Sequence, residues 1–544
     1  MMSLAALLLS VFRMVVLPVE FSDRAFTATQ EQLAADVREA EAYFNRQFDG
    51  QVTFEFVLAP VTVLSHGIAY YGQNYPDRKD VRLREAFLEA CTARQGDVDF
   101  ARFDNDGDGT VDNVFLLAAG PGEDDGGGES AFWPRQGRLS AEGGVIEPGG
   151  WRIDGFAVST EGRTGIFCHE FGHVLGLADL YDTDGEESGG RSRGMWGTSL
   201  MDEGCQTHPL PDFGALEFDL LGLGRCDTLR TGPYRLDPLA TGRRYLKAPT
   251  DTPDEFFLFE CREGMLLISH IDRSENPAGY SPRFDQDLTA RERWDLGAVN
   301  DNPEHPCARL VPADTAATDL RGIPWPGDGA DSFGSDTPSA FRGWSGHGTG
   351  LALTGIRTEA DGSVSFDVIE PIVLTDLILY QDAAVLSWKP DPSLQGIAGY
   401  TVRWTDGEQT FLRQLGPEAG TYTLEHLRPQ TGYSATVQVR LSERERYSAT
   451  VRFVTKVYRA GTFPYIYLNS VRRNIDGTFP PGSRLPLRVF NATEVEEVQW
   501  FFDGTRIRPE MDGGYTLRRS GLLSARILHT DGTSETLYKE IRVQ

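Results

Sequence analysis

The stretch at 168–185 reads CHEFGHVLGLADLYDTDG and holds two histidines four residues apart, with a glutamate directly after the first. On an α-helix this spacing puts His169 and His173 on one side, where each ring can give one nitrogen to the same zinc ion. Glu170 would then lie beside the metal rather than on it. From there its carboxylate can take the proton of a zinc-bound water and pass it to a leaving amine.

The residues that follow extend the zinc motif. Gly176 stands where the helix must end and the chain must turn, and glycine tolerates the positive φ that such a turn needs. Asp179, three residues later, can return as a third, oxygen ligand. Two histidines and one aspartate leave the fourth zinc position open for water, which is the catalytic arrangement. The alternative, a helix with two ordinary core histidines, does not account for the full metzincin spacing HExxHxxGxxD.

A methionine downstream fits the same interpretation. In GMWGTSLMDEG, at 194–204, Met201 resembles the methionine that metzincins fold beneath the zinc as a hydrophobic base. A single methionine in a loop is usually a core residue, so it adds to the zinc motif but would not identify the site by itself.

An acidic stretch at 104–112 reads DNDGDGTVD, with carboxylates at alternate positions and Gly109 permitting a tight wrap. Calcium loops begin in this way. The predicted calcium ligands are Asp104, Asp106, Asp108, Thr110 and Asp112. Phe115 stands at loop position twelve, where a bidentate glutamate is expected, so a plain acidic turn is the alternative. Asp182 and Asp184, just after the zinc motif, are candidates for a second calcium site.

Composition and charge set the broad class of the chain. Its 544 residues are too many for one core and predict several domains. With 80 acidic and 52 basic residues the formal net charge is −28, which would repel nucleic acid and anionic lipid. Six cysteines without a CxxC pair predict neither a disulfide scaffold nor a zinc ribbon, and their pairing cannot be chosen.

The apolar run at 4–12 is too short to span a membrane and lacks the basic residues that normally precede a signal-peptide core. Residues 1–12 are therefore interpreted as a truncated or atypical export signal, or as an N-terminal extension that forms a strand. No membrane span is expected.

Periodicity divides the rest of the chain into segments. Buried strands such as MVVLPVEF alternate at first with amphipathic helices, one with Leu33, Val37, Ala40 and Phe44 inward, which is an α/β pattern. Later the strands are short and separated by Gly, Pro and Asp. The predicted segments are a zinc protease domain at 13–234, its β-rich subdomain at 235–370, and two β-sandwiches at 371–457 and 458–544.

The two sandwiches resemble known modules. Residues 371–457 are similar to the fibronectin type III module in AAVLSWKPDP, IAGYTVRW and LRPQTGYSATVQV, with Trp388, Tyr400, Leu427 and Tyr433 at its core positions. The last unit, with VQWFFDG and GLLSARILHTDG, resembles an immunoglobulin-type sandwich whose buried Trp500 has no cysteine pair to pack on.

Eight ordered segments resemble the immune inhibitor A-like family of secreted zinc metalloproteases over about residues 14–370. They are MVVLPVEFSD, DNDGDGTVDNVFLLAAGPG, AFWPR, FCHEFGHVLGLADLYD, GMWGTSLMD, DFGALEFDLLGLG, FFLFECREG and LLISHID. The resemblance implies an α/β zincin of metzincin type, with His169, His173 and Asp179 on zinc, Glu170 as general base, and calcium stabilisation. Ala178 departs from the usual proline, and the segment between Glu260 and Met265 is shortened.

Two functions remain to be weighed. The first is a secreted or cell-surface zinc endopeptidase, a monomer, that cuts protein or peptide substrates; the strand at 151–159, interpreted as an edge strand, would pair with extended substrate. The second is a catalytically inert surface adhesin that binds through its sandwiches. An inert relative would have lost Glu170 or a zinc ligand, and all four residues are present, which favours the enzyme.

Overall fold

The structure is a computed structural model that describes residues 11–544 apart from 77, 328–329, 381, 442–445, 457–463, 469–470, 472–473, 475–477 and 511–512. Most of the segment predicted as an export signal therefore lies outside the described residues. The chain divides into two compact units. One runs through Asp376 and includes Ser387–Tyr422 and Ser434–Val451, and the other comprises Leu377–Leu386, Thr423–Tyr433 and Arg452–Gln544. The predicted domain boundaries stay predictions.

The N-terminal region contains both strands and helices, and five of its strands follow one another without an α-helix between them. The strands are β1 (Val11–Glu20), β2 (Thr53–Leu58), β3 (Thr62–Val63), β4 (Thr110–Val111), β5 (Val114–Ala118), β6 (Arg135–Arg138), β7 (Arg152–Ile153) and β8 (Gly155–Thr160). The helices are α1 (Gln30–Phe48), α2 (Ile68–Tyr71), α3 (Leu83–Arg94), α4 (Thr164–Val174) and α5 (Ala215–Leu221).

A six-stranded sheet in the order β2, β1, β5, β8, β6, with β3 also pairing β1, forms the centre of this region. All its pairs are parallel except that of β6 with β8. Alternate residues of β1 face opposite sides: Met14 and Val16 pack in the core that contains α1 and α4, whereas Val15 and Leu17 pack with α3. Burial on both faces explains why β1 is an uninterrupted apolar run.

The interpretation of residues 151–159 as an edge strand is wrong. β8 is an interior strand, because β5 pairs with one side of it and β6 with the other. β6 escaped sequence analysis because its sequence, RQGR, has no apolar alternation. The edge of the sheet next to α4 is therefore β6.

The helices have recognisable ends and faces. Thr29 caps α1 in a reciprocal pair with Gln32, and the predicted inward residues Leu33, Val37, Ala40 and Phe44 are buried. Helix α4 begins four residues after β8 and is buried on nearly all sides, so that the zinc motif lies inside the domain.

The β-rich region contains three small sheets. Its strands are β9 (Arg225–Thr228), β10 (Gly232–Leu236), β11 (Arg244–Pro249), β12 (Glu255–Arg262), β13 (Met265–Asp272), β14 (Pro277–Ser281), β15 (Gln286–Thr289), β16 (Ala308–Leu310), β17 (Ala352–Thr358) and β18 (Val364–Ile369), with α6 (Leu239–Gly242) and α7 (Ala290–Asp295). The sheets are ordered β16-β13-β12-β11-β9, β10-β18-β17 and β14-β15.

Short strands follow to the C-terminus. They are β19 (Ile372–Leu379), β20 (Ala384–Pro390), β21 (Gly399–Thr405), β22 (Thr410–Leu415), β23 (Thr421–Leu424), β24 (Gly432–Arg440), β25 (Arg446–Val454), β26 (Tyr465–Ile466), β27 (Arg484–Pro486), β28 (Val489–Phe490), β29 (Val495–Phe502), β30 (Thr505–Ile507), β31 (Gly514–Thr516), β32 (Gly521–His529) and β33 (Ser534–Ile541). The larger sheets are β22-β21-β24-β25 and β30-β29-β32-β33. All four predicted fibronectin-type core residues and Trp500 are buried. In the described part of the chain, no helix has the length and apolarity to cross a membrane.

Candidate metal centre

Helix α4 brings the two histidines of the motif together, and the chain after it adds the aspartate. His169 Nε2 and His173 Nε2 lie 3.1 Å apart. Asp179 Oδ1 lies 3.0 Å from the first and 3.2 Å from the second. Atoms about 2.1 Å from one tetrahedral zinc would lie about 3.4 Å apart, so this triangle has nearly the size that zinc requires.

Backbone carbonyls orient both imidazoles. His169 Nδ1 lies 3.0 Å from the Leu200 oxygen, and His173 Nδ1 lies 2.8 Å from the Leu177 oxygen. Because a carbonyl oxygen only accepts, each Nδ1 carries the proton and donates it, which leaves each Nε2 with a lone pair for a metal. Sequence gives no indication of these two carbonyls.

The three ligand side chains favour a positive charge between them. Burial lowers the pKa of His169 and of His173, but hydrogen bonding to Asp179 outweighs it and raises both above the ordinary imidazole value. Burial likewise opposes ionisation of Asp179, yet the two imidazoles hold its pKa below the usual range. A cation at this point would satisfy the same carboxylate, so the donor set fits zinc.

Glu170 is a buried carboxylate that directly follows His169 on α4. It is 4 % exposed, and its Oε2 is buried without a hydrogen-bond partner in the structure. Burial raises its pKa to about 7, against the effect of the neighbouring histidines. A base titrating near neutral pH is well matched to accepting and returning a proton.

Gly176 follows the end of α4, and Met201 packs against this helix. Gly176 has a φ of 96°, directly after α4 ends, and the turn lets Asp179 come back towards the histidines. Met201 is fully buried against α4, and a Cβ built on Gly172 would meet its Sδ at 2.5 Å. The adjacent carbonyl of Leu200 is the one that orients His169.

Comparison with known proteins shows which families this chain is similar to. Residues 18–211 match the immune inhibitor A peptidase M6 catalytic domain, and residues 379–457 match the fibronectin type III domain. Residues 18–211 are therefore similar to an M6 peptidase catalytic domain. The zinc motif, the turn glycine and Met201 all fall within the matched residues.

Two relatives share the M6 segment. The Vibrio cholerae pre-pro-metalloprotease PrtV is 29% identical over 192 residues, which are 30% of this chain and 21% of PrtV. Immune inhibitor A of Bacillus thuringiensis subsp. alesti is 33% identical over 93 residues, 15% of this chain and 14% of that protein. The chain thus matches about a fifth or less of the length of these relatives. The fibronectin type III domain of human collagen alpha-1(XX) is 20% identical with a TM-score of 0.14, covering 16% of this chain and 80% of that one.

Several polar residues that the sequence did not single out hold the loop next to the candidate metal centre. Asp202 accepts hydrogen bonds from the backbone nitrogens of Met195 at 2.7 Å and Trp196 at 2.8 Å. Ser199 Oγ accepts from the Met201 nitrogen at 3.0 Å and donates to the buried Glu217. These bonds fix the loop that carries Leu200 and Met201, and only the folded structure reveals them.

Tyr181 is a further residue at the candidate metal centre that the sequence did not single out. Its ring centroid lies 6.2 Å from that of His169, and the residue is 40% exposed. Burial and the Asp179 carboxylate raise the pKa of its phenol, so the phenol stays protonated and can donate a hydrogen bond.

The structure brings together some of the predicted calcium ligands. Single carboxylate oxygens of Asp104, Asp106 and Asp108 lie within 4.8 Å of one another. Asp112 is not part of this group of three: its Oδ2 accepts a hydrogen bond from the Asn105 backbone nitrogen at 2.6 Å. The Thr110 backbone nitrogen donates to Asp108 Oδ1.

Asp182 and Asp184 also lie together, and the structure adds a third carboxylate to them, that of Asp301. No spacing rule could have joined Asp301 to them from sequence.

Proposed function

We propose that this chain is a secreted zinc endopeptidase that hydrolyses protein or peptide substrates. His169, His173 and Asp179 would hold the metal, and the observation that carries the proposal is their triangle of ligand atoms with both Nδ1 positions bonded to carbonyls. The M6 relatives support a metalloprotease. On this reading the N-terminal domain is an α/β zincin of metzincin type.

Zinc, when bound, supplies a Lewis acid that polarises the scissile carbonyl and makes water more acidic. Glu170 accepts a proton from the attacking water, because its Oε2 is buried and free of other partners. It then donates that proton to the leaving amine. Asp179 contributes negative charge, and the Leu200 and Leu177 carbonyls hold the Nδ1 proton of each imidazole, so that each Nε2 can offer its lone pair to the metal.

Extended substrate is proposed to add to β6 as a further strand. β6 pairs only with β8 among the strands of the described residues, and it lies in contact with α4. A sheet edge beside the metal can align a peptide backbone through main-chain hydrogen bonds.

Casein cleavage with and without a chelator tests the proposal. We expect the chelator to abolish cleavage and Glu170→Gln to lower kcat by about 10²- to 10⁴-fold while one zinc per chain is retained. Glu31→Gln, at an exposed position of α1, is the matched control and should cut normally. If the wild type holds zinc yet cuts nothing, the endopeptidase proposal fails and the inert binding protein takes its place.

The acidic loop around Asp104, Asp106 and Asp108 is retained as a proposed calcium loop. Their convergent oxygens are the ligands that calcium prefers. Calcium titration followed by calorimetry, with Asp106→Asn for comparison, tests it: the variant should lose one bound calcium.

A further inference from the structure

Three carboxylates from distant parts of the chain converge close to the proposed zinc centre. One oxygen each of Asp182, Asp184 and Asp301 lies within 4.8 Å of the others. Two oxygens bound to the same calcium ion lie at most about 5 Å apart, since calcium takes six to eight oxygens at 2.3–2.6 Å. The spacing therefore suits a single calcium ion.

Two of these carboxylates keep a buried oxygen without a partner. Asp301 is 0% exposed, and its Oδ2 has no hydrogen-bond partner among the described residues. Asp184 is half-buried, and its Oδ1 is a buried atom that likewise has no partner in the described part of the chain. Their other oxygens are engaged: Asp301 Oδ1 accepts from the Thr183 nitrogen at 2.9 Å and from its hydroxyl at 2.7 Å. The free oxygens thus point to a cation and not to a missing internal hydrogen bond.

The charge of the cluster supports the same conclusion. Three acidic groups are gathered in a place where water is scarce, and an uncompensated buried charge costs several kcal/mol. The Arg283 guanidinium nearby donates to Thr183 Oγ1 at 3.4 Å and not to a carboxylate.

The cluster is tied directly to the zinc loop. Asp182 follows Asp179 by three residues, and Leu180 between them donates its nitrogen to the Met201 oxygen at 2.8 Å. Asn300 Nδ2 donates to the Leu180 oxygen at 2.7 Å, and Asp301 holds Thr183. Asn300 and Asp301 therefore form hydrogen bonds to the chain on both sides of Asp182.

We propose that Asp182, Asp184 and Asp301 bind a calcium ion that fixes the loop carrying Asp179, so that calcium sets the zinc affinity of the metal centre. Without calcium the three carboxylates repel one another, and the hydrogen bonds between residues 180–184 and residues 300–301 are lost. Asp179 then loses its position as a ligand. The inference rests on the proposed function only in taking Asp179 as a zinc ligand.

The test measures the zinc affinity of the full chain with a competing chromophoric chelator, in the presence and absence of calcium. Calcium is expected to tighten zinc binding at least tenfold, within the usual range of coupling between two sites. Asp301→Asn, which keeps the acceptor for Thr183 but replaces the free oxygen, should abolish this dependence. Asp106→Asn, in the other acidic cluster, is the matched control and should retain it. Circular dichroism at each point shows that the chain is folded.

Each outcome decides the matter. If zinc binds equally tightly with and without calcium, or if Asp301→Asn responds to calcium as the wild type does, the inference is overturned while the endopeptidase proposal is untouched. If calcium tightens zinc binding through Asp301 but casein is not cut, the inference stands and the endopeptidase proposal fails. Should Asp301→Asn not fold, Asp184→Asn, at a less buried carboxylate, makes the same test.

Discussion

Gly172 shows how closely the zinc helix packs against the loop behind it. A Cβ at this position would lie 2.5 Å from Met201 Sδ and 3.3 Å from its Cε, and Met201 is fully buried. Gly172→Ala must therefore push Met201 away, at a cost of about 1–3 kcal/mol for overpacking. Because the Leu200 carbonyl beside it orients His169, zinc binding should weaken as well.

Denaturant unfolding and zinc titration measure both effects. Gly96→Ala is the control, because a Cβ there meets nothing within 4 Å and the backbone conformation suits any residue. Equal stability of the two variants would show that the loop yields freely and that Met201 does not support the helix.

Single residues also mark the limit of what the sequence predicts at the centre. The motif identifies His169, Glu170, His173 and Asp179 because their spacing is fixed by one helix and one turn. Asp301 could not be predicted, since it reaches the cluster from another region through tertiary packing. The carbonyls behind the histidines are backbone atoms, and their position depends on the folded loop.

Among the elements, β6 is held at the sheet edge by hydrogen bonds to the buried carboxylate of Asp80. Asp80 is 0% exposed, and its Oδ2 accepts from Arg135 Nη1 at 2.7 Å and from the Trp133 nitrogen at 3.1 Å. Burial raises the pKa of Asp80 to about 6 in spite of Arg135. The folded chain thus keeps a proton that the unfolded chain has released.

A pH dependence follows from this raised pKa. The stability that the proton contributes is complete below the unfolded pKa near 3.8 and is lost as pH rises through about 6. Between pH 5 and pH 7.5 the free energy of unfolding of the wild type should fall by about 1.4 kcal/mol because Asp80 loses its proton. The free energy of unfolding of Asp80→Asn should not show this fall. Urea unfolding at the two pH values measures the difference between wild type and variant.

Asp154→Asn is the matched control for this prediction. Burial opposes ionisation of Asp154, but hydrogen bonds from Ser140 and Arg138 lower its pKa, so its carboxylate is ionised at both pH values. Its substitution should cost the same at pH 5 and pH 7.5. If the difference in free energy of unfolding between the wild type and Asp80→Asn is the same at both pH values, Asp80 is already ionised in the folded chain at pH 5.

Helices and strands whose apolar residues recur with a clear period were predictable from the sequence. Elements without such a period were not. Helix α1 and strand β1 follow from their apolar patterns, because each buries a regular face. β6 has four polar or small residues and becomes a strand only through pairing with β8. The error about residues 151–159 has the same origin, since an interior strand and an edge strand can share one pattern.

At the scale of the whole molecule, the sequence predicts that the region up to 370 and the sandwich after it are separate domains. In the structure, residues of the two predicted domains also pack against each other. In the first compact unit, Ser448 of β25 donates its nitrogen to Ser335 Oγ at 2.9 Å. Tyr447 beside it is 1% exposed, and a Cβ on Gly334 would meet its ring at 2.8 Å. Module patterns describe the core of each sandwich but not the surface that it presents to a neighbour.

Tyr447→Ala tests this packing in the full chain. Removing a fully buried aromatic ring costs about 3–5 kcal/mol, so the unit that contains Tyr447 and Gly334 should unfold at a lower temperature. Tyr538→Ala, at a position that is 51% exposed, should change stability by no more than about 0.5 kcal/mol. Calorimetry resolves the transitions, and limited proteolysis should cut the Tyr447 variant faster near Ser335. Identical melting of both variants would mean that the ring is not buried against Gly334 in solution.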